Sequence, residues 1–206
     1  MTHEKLIQEL KDENYLKTPS IIQAFEKVNR KNFVPEDQEE YAYLNSALPI
    51  GHKQTISQPL VVAFMLELLE PKRGEKILDI GSGSGWQTAL LAHIVGKDGK
   101  VIAIERLPEL VQSAKANLAN YPKLLERIEM LDGNASKGFE QNAPYDKIIA
   151  AASAKKIPNE WKEQLKIGGQ IVAPVRESII RLEKTSADKF EKKEFYGFAF
   201  VPLISK

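Results

Sequence analysis

The segment that most restricts this chain is Lys76-Ile77-Leu78-Asp79-Ile80-Gly81-Ser82-Gly83-Ser84-Gly85-Trp86-Gln87-Thr88. Its apolar run reads as a buried strand, its three alternating glycines as a bend, and the residues from Trp86 onward as a helix. A plain tight turn would satisfy the same letters. Joined to a strand and a helix, however, the bend falls where open α/β sheets bind ligands, beyond the carboxyl ends of the strands, and glycines there let a backbone approach closely.

The rest of the chain agrees with such a sheet. From Gly74 onward apolar runs alternate with amphipathic segments, the pattern of a parallel sheet covered on both faces. The expected strands are 76–80, 100–104, 127–131, 147–151 and 170–175, with helices at 86–95, 108–120 and 159–165. Gly168-Gly169 is expected to end the last helix and turn the chain into its strand. Segments 178–184 and 190–203 alternate without an intervening helix, which predicts antiparallel strands at the sheet edge. Residues 1–70 read as a helical cap: Leu6, Ile7 and Leu10 share one face, Thr18-Pro19 supplies a cap and a first helical position, and Ile21, Ile22, Phe25 and Val28 repeat at helical spacing. A polar loop from about 29 to 58 precedes a helix opened by Pro59, with Val62, Met65, Leu66 and Leu69 along one stripe. The expectation is one domain over 1–206, with a cap and active-site loop in 1–70 and an α/β core in 71–206.

Composition narrows the chemistry. Apolar residues are 43% and charged residues 28%, the balance of a soluble globular protein. The 29 basic and 28 acidic residues leave a net charge of +1, so no polyelectrolyte footprint points to nucleic acid or an anionic membrane. Cysteine is absent, which removes disulfides, thiolate metal sites and cysteine nucleophiles. The three histidines, His3, His52 and His93, lack paired-ligand spacing, so no metal site is expected. With no apolar signal core after Met1 and no span-length apolar stretch, a cytoplasmic protein is expected.

The glycine bend also selects among cofactors. A dinucleotide site wants Gly-x-Gly-x-x-Gly, whose last glycine brings a helix N-terminus to a pyrophosphate. Trp86 occupies that position, and the spacing Gly81-x-Gly83-x-Gly85 favours S-adenosyl-L-methionine, with S-adenosyl-L-homocysteine as product, over a nicotinamide dinucleotide. Candidate cofactor contacts are Asp79, Gly81, Ser82, Gly83, Ser84, Gly85, Gln87 and Thr88. Glu105-Arg106 ends the next strand, where a carboxylate accepts ribose hydroxyl protons; alternatively, Glu105 merely leads a helix. Asp132-Gly133 ends the third, where Asp132 either accepts from an adenine amino group or belongs to an ordinary turn.

Upstream, Gln54-Thr55-Ile56-Ser57-Gln58-Pro59 resembles the signature of the protein-L-isoaspartate (D-aspartate) O-methyltransferase family. The resemblance continues through Leu78 to Gly85, Gln87-Thr88-Ala89, Ala143-Pro144-Tyr145-Asp146, Gln164-Leu165-Lys166, Gly168-Gly169 and Phe200-Val201-Pro202-Leu203, and it spans most of the chain from Phe33. It implies a class I (Rossmann-like) methyltransferase fold. It also implies methylation of the α-carboxylate of L-isoaspartyl residues in damaged proteins, with D-aspartyl residues as the second acceptor in the family's name, the ester then collapsing to a succinimide. Ser57 matches the family's active-site serine and is assigned an orienting hydrogen bond to the substrate carboxylate or to the cofactor, although a serine two residues before Pro59 also suits a helix cap. Thr55, Ile56 and Gln58 match positions that close over the cofactor. A carboxylate is already ionised at neutral pH, so the missing His/Asp pairs are no objection.

The match thins where substrate should sit. Asn45 stands where the family commonly has aspartate, His52-Lys53 where it has small residues, Lys155 in an altered Ala150 to Lys155 stretch, and Arg176 where glycine is usual. His52, Lys53 and Arg176 either attract the substrate carboxylate or are surface drift. Other functions stay open: a methyltransferase for another carboxylate or small molecule, a non-catalytic adenosylmethionine-binding module, or, more distantly, a nicotinamide oxidoreductase. A monomer is expected.

Overall fold

The computed structural model describes residues 1–204. Helix α1 (His3–Asp12) starts where the Thr2 hydroxyl accepts from the Lys5 N–H at 3.2 Å, and it buries Leu6, Ile7 and Leu10 as expected. Helix α2 (Pro19–Lys27) has Pro19 in its first turn, but Thr18 does not cap it with its side chain. The Thr18 hydroxyl instead donates to Glu67 at 2.7 Å, whose other oxygen accepts from the Lys17 and Thr18 N–H groups. The stretch read as one loop contains 3-10 turns at Arg30–Phe33 and Glu36–Tyr41 and a small antiparallel ladder, β1 (Leu48–Pro49) with β2 (Thr55–Ile56). Helix α3 (Pro59–Leu69) follows directly.

The remaining chain lays down β3 (Lys76–Ile80), α4 (Trp86–Val95), β4 (Lys100–Glu105), α5 (Pro108–Leu118), α6 (Pro122–Leu125), β5 (Ile128–Asp132), β6 (Tyr145–Ala150), α7 (Asn159–Glu163), β7 (Leu165–Val175), β8 (Ser178–Lys184) and β9 (Phe190–Tyr196). The seven strands β3 to β9 form one sheet in the order β5-β4-β3-β6-β7-β8-β9, parallel through β7 and antiparallel at β8 and β9. Because β3 has β4 on one side and β6 on the other, strand order reverses at β3, and the glycine bend leaves the sheet at that switch point.

Period-two alternation sends side chains to two cores. Ile77, Val101, Ile149, Val172 and Ile179 pack with the N-terminal helices, α4 and α5. Leu78, Ile102, Ile148, Ile171 and Ile180 pack on the other face with Tyr145, Ile157 and Trp161. Both faces are thus covered by apolar side chains, which is why these strands read as continuous apolar runs.

Several element ends shift by one or two residues, and two boundaries differ by more. Helix α7 stops at Glu163 and β7 begins at Leu165, so Gly168 and Gly169 lie inside a strand. There the register with β6 slips between Tyr145 and Lys147, and Gly168 takes φ +80°, a bulge that glycine makes without strain. The last expected strand ends at Tyr196, and Gly197 takes φ +94°. Residues 201–203 then return beside Ser153, whose N–H donates to the Val201 carbonyl and whose carbonyl accepts from the Leu203 N–H, each at 2.8 Å.

Candidate active site

Gly81, Gly83 and Gly85 all have left-handed backbones, with φ +77°, +53° and +87°. A Cβ at Gly81 would meet nothing closer than 3.9 Å, so backbone freedom and not space is what glycine supplies there. Beneath the bend Asp79 is completely buried. Gln87 Nε2 and Thr88 Oγ1 donate to its two oxygens at 2.8 and 2.6 Å. Burial pushes the Asp79 carboxyl up to about 6; the Thr88 and Gln87 hydrogen bonds oppose that shift and the charge of Glu105 adds to it. The sequence grouped Asp79, Gln87 and Thr88 as cofactor contacts, and the structure makes them a strut tying β3 to α4.

Glu105 closes β4 and is nearly buried. One carboxylate oxygen accepts from the Gly83 N–H and the other from the Leu107 N–H, both at 3.0 Å. The carboxylate is thereby fastened between the glycine bend and the approach to α5, with a second lone pair on each oxygen still available to a hydroxyl.

These groups border a cavity of about 320 Å³ at the carboxyl ends of β3, β4 and β6. Of the residues picked from sequence, Thr55, Gly81, Gly83, Glu105, Arg106 and Gly133 line it. Ile56, Ser57, Ser82, Ser84 and Gln87 line an adjoining recess of about 40 Å³, which shares Thr55, Gly81, Gly83 and Ala151 with the larger space. Gln58, Asp79, Gly85, Thr88 and Asp132 border neither. Asp132 is an exposed residue at the end of β5, paired with Glu105, while Gly133 beside it reaches the cavity. The sequence did not reveal the apolar wall of Ile80, Ile104, Leu107 and Leu110, or the contributions of Asn134 and Val201 to Ile204. Asn134 carried a weak signal, since it follows Asp132-Gly133 at a strand end.

The recess has its own scaffold. Gln58 occupies the cap position of α3 without a side-chain bond, which removes the capping role considered for Ser57. The cap comes from a distance: Asn45 Oδ1 accepts from the Leu60 N–H at 3.0 Å. An aspartate would offer the same acceptor, so Asn45 preserves the local geometry. Arg30, which no sequence signal marked, is almost wholly buried. Its guanidinium donates to the carbonyls of Ala42 (2.7 Å), Leu44 (3.4 Å), Ser46 (2.9 Å) and Ser57 (3.1 Å). It also lies 5.3 Å from the centre of the Trp86 ring. Burial lowers its pKa to about 10, so it stays charged at neutral pH. Trp86 itself is buried against Phe25, edge to face at 5.5 Å.

Of the basic residues singled out, His52 and Lys53 line the cavity. Both are left-handed, with φ +50° and +58°. Lys155 is exposed and borders neither space. Arg176, at φ +56°, sits in the two-residue turn between β7 and β8, its N–H donating to Ala154, and is away from both spaces. Among the described residues no cluster of His, Asp and Glu could hold a metal ion, and no helix is long and apolar enough to cross a membrane.

A mainly parallel sheet with antiparallel edge strands, a left-handed glycine bend at the switch point and a carboxylate on the neighbouring strand define a class I methyltransferase fold. Similarity narrows the class. The family described as Protein-L-isoaspartate(D-aspartate) O-methyltransferase matches residues 1–206. A protein-L-isoaspartate O-methyltransferase of Methanopyrus kandleri is 42% identical over 98% of this chain and 91% of its own. Protein-L-isoaspartate O-methyltransferase 2 of Archaeoglobus fulgidus is 44% identical over 97% and 91%. A Plasmodium falciparum structure, described as a protein-L-isoaspartate O-methyltransferase in complex with S-adenosyl-L-homocysteine, superposes with a TM-score of 0.90 at 24% identity, covering 100% of both chains. The chain belongs to the protein-L-isoaspartate (D-aspartate) O-methyltransferase family.

Proposed function

We propose that this protein methylates the α-carboxylate of L-isoaspartyl residues in damaged proteins, using S-adenosyl-L-methionine, as a single-domain, monomeric, cytoplasmic enzyme. The observation that carries the reading is the Ser57 recess opening into the cavity bordered by Glu105, within a chain that matches the family from end to end. The cavity suits the cofactor in chemistry as well as size. Its apolar wall fits an adenine ring, Glu105 has lone pairs for ribose hydroxyls, and Gly81 and Gly83 present bare, left-handed backbone on its wall. Within this reading Thr55 and Ile56 close the cofactor side, and Arg106 and Gly133 flank the adenosine.

When bound, S-adenosylmethionine supplies a methyl group on a cationic sulfur that an anionic oxygen can attack. The protein's work is then positional. No base is needed, because an isoaspartyl α-carboxylate is ionised at neutral pH. Ser57 donates a hydrogen bond that orients that carboxylate, and Thr55 and Ala151, shared by both spaces, hold the two reactants adjacent. The apolar lining limits water around an anion approaching a cation, which strengthens their attraction. The ester so formed leaves the enzyme and cyclises to a succinimide without further help.

A radiolabelled methyl-transfer assay with an isoaspartyl peptide and its normal aspartyl twin tests this. Base-labile label is expected on the isoaspartyl peptide alone. Ser57→Ala should lower kcat by about tenfold, the worth of one orienting hydrogen bond, without weakening adenosylhomocysteine binding. Label on both peptides or on neither would refute the substrate assignment.

A further inference from the structure

Arg30 touches the Ser57 recess from two directions, through the Ser57 carbonyl and through the face of Trp86, which lines the same recess. Its other hydrogen bonds gather Ala42, Leu44 and Ser46 into a strap, and Asn45 in the middle of that strap caps α3 immediately after Ser57. No carboxylate pairs with Arg30 among the described residues, so its charge is balanced only by carbonyl dipoles and a ring face. Burying a cation in this way is costly unless its hydrogen bonds are well made. Reaching four carbonyls at once, in two directions, uses the rigid planar fork of a guanidinium; an ammonium has only three donors, all on one atom.

We propose that Arg30 is a positioning residue for methyl transfer: it sets Ser57 and the Trp86 wall of the recess, and so the alignment of the acceptor carboxylate. The proposal rests on carboxyl methylation at this recess. Of the cofactor groups, Glu105, Gly81 and Gly83 stand apart from it, held by the sheet and by one another without a bond to Arg30, while Thr55 and Ile56 share the Ser57 segment. Loss of the guanidinium therefore falls more heavily on turnover than on cofactor binding.

The test compares Arg30→Lys and Arg30→Ala with the wild type, measuring adenosylhomocysteine affinity by calorimetry, kcat and KM with an isoaspartyl peptide, and thermal melting. Arg30→Lys keeps the charge and loses the fork. It is expected to bind adenosylhomocysteine within about threefold of wild type while kcat falls tenfold or more. Added guanidinium should restore part of the kcat of Arg30→Ala; if that variant does not fold, Arg30→Lys decides. A kcat within twofold of wild type for Arg30→Lys, or cofactor affinity falling in step with kcat, would overturn the proposal. Wild-type protein inactive on the isoaspartyl peptide would overturn the proposed function and this inference together, whereas active wild type with an unimpaired Arg30→Lys would overturn this inference alone.

Discussion

Asp79 is a strut whose protonation is coupled to folding. Burial, the largest cause, raises its carboxyl from 3.8 to about 6. A carboxyl raised in the folded state holds its proton more tightly there than in the unfolded chain. Its contribution to stability is therefore complete below about pH 4 and is lost as pH climbs through about 6. A shift of this size is on the order of 3 kcal/mol. Asp79→Asn keeps an acceptor for Thr88, and the Gln87 amide can turn to meet it. Melting temperatures from pH 4 to 7 should therefore show the wild type losing ground to Asp79→Asn as pH rises; parallel profiles would refute the coupling. The same scale shows which residues a sequence can explain. The bend expected at Gly81, Gly83 and Gly85 is there, with left-handed backbone at each, whereas His52, Lys53 and Arg176 adopt that backbone without glycine, at roughly 1 kcal/mol or more each. Nothing in their letters signals that cost.

At the scale of elements, α3 depends on a cap borrowed from fifteen residues upstream. Asn45→Ala should destabilise the protein by about 1 kcal/mol, while Asn45→Asp should stay near wild type, because aspartate accepts equally well and suits a helix N-terminus. Thermal denaturation of the two variants checks this, and equal losses would show that the bond at Leu60 does not stabilise the helix. The helices and strands themselves were legible: 76–80, 86–95 and 178–184 fall where periodicity puts them. The 168–169 pair was misread because a glycine pair ends a helix as readily as it bulges a strand. The choice was made by Asp146 and Leu165, whose atoms lie within 2.9 Å of where a Gly169 side chain would begin. Local propensity contains no term for that neighbour.

Across the whole molecule, the cavity draws its walls from residues as far apart as His52 and Ile204, so filling it should stabilise the entire fold. Adenosylhomocysteine at a hundredfold excess over its Kd should add about 2.7 kcal/mol and raise Tm by about 5 to 10 °C, read by calorimetric scanning. An unmoved Tm at that excess would mean that the ligand does not bind the native state. The class of the fold, the glycine bend, Glu105 at a strand end and the Ser57 segment could all be read from the chain, because strand periodicity, glycine spacing and a contiguous signature are local properties of neighbouring residues. The strand order, the return of residues 201–204 to the cavity, the distant cap from Asn45 and the Arg30 clamp could not. Each depends on groups far apart in sequence meeting at hydrogen-bond distance, and such meetings are settled by which apolar faces pack together when the sheet and its helical cap assemble.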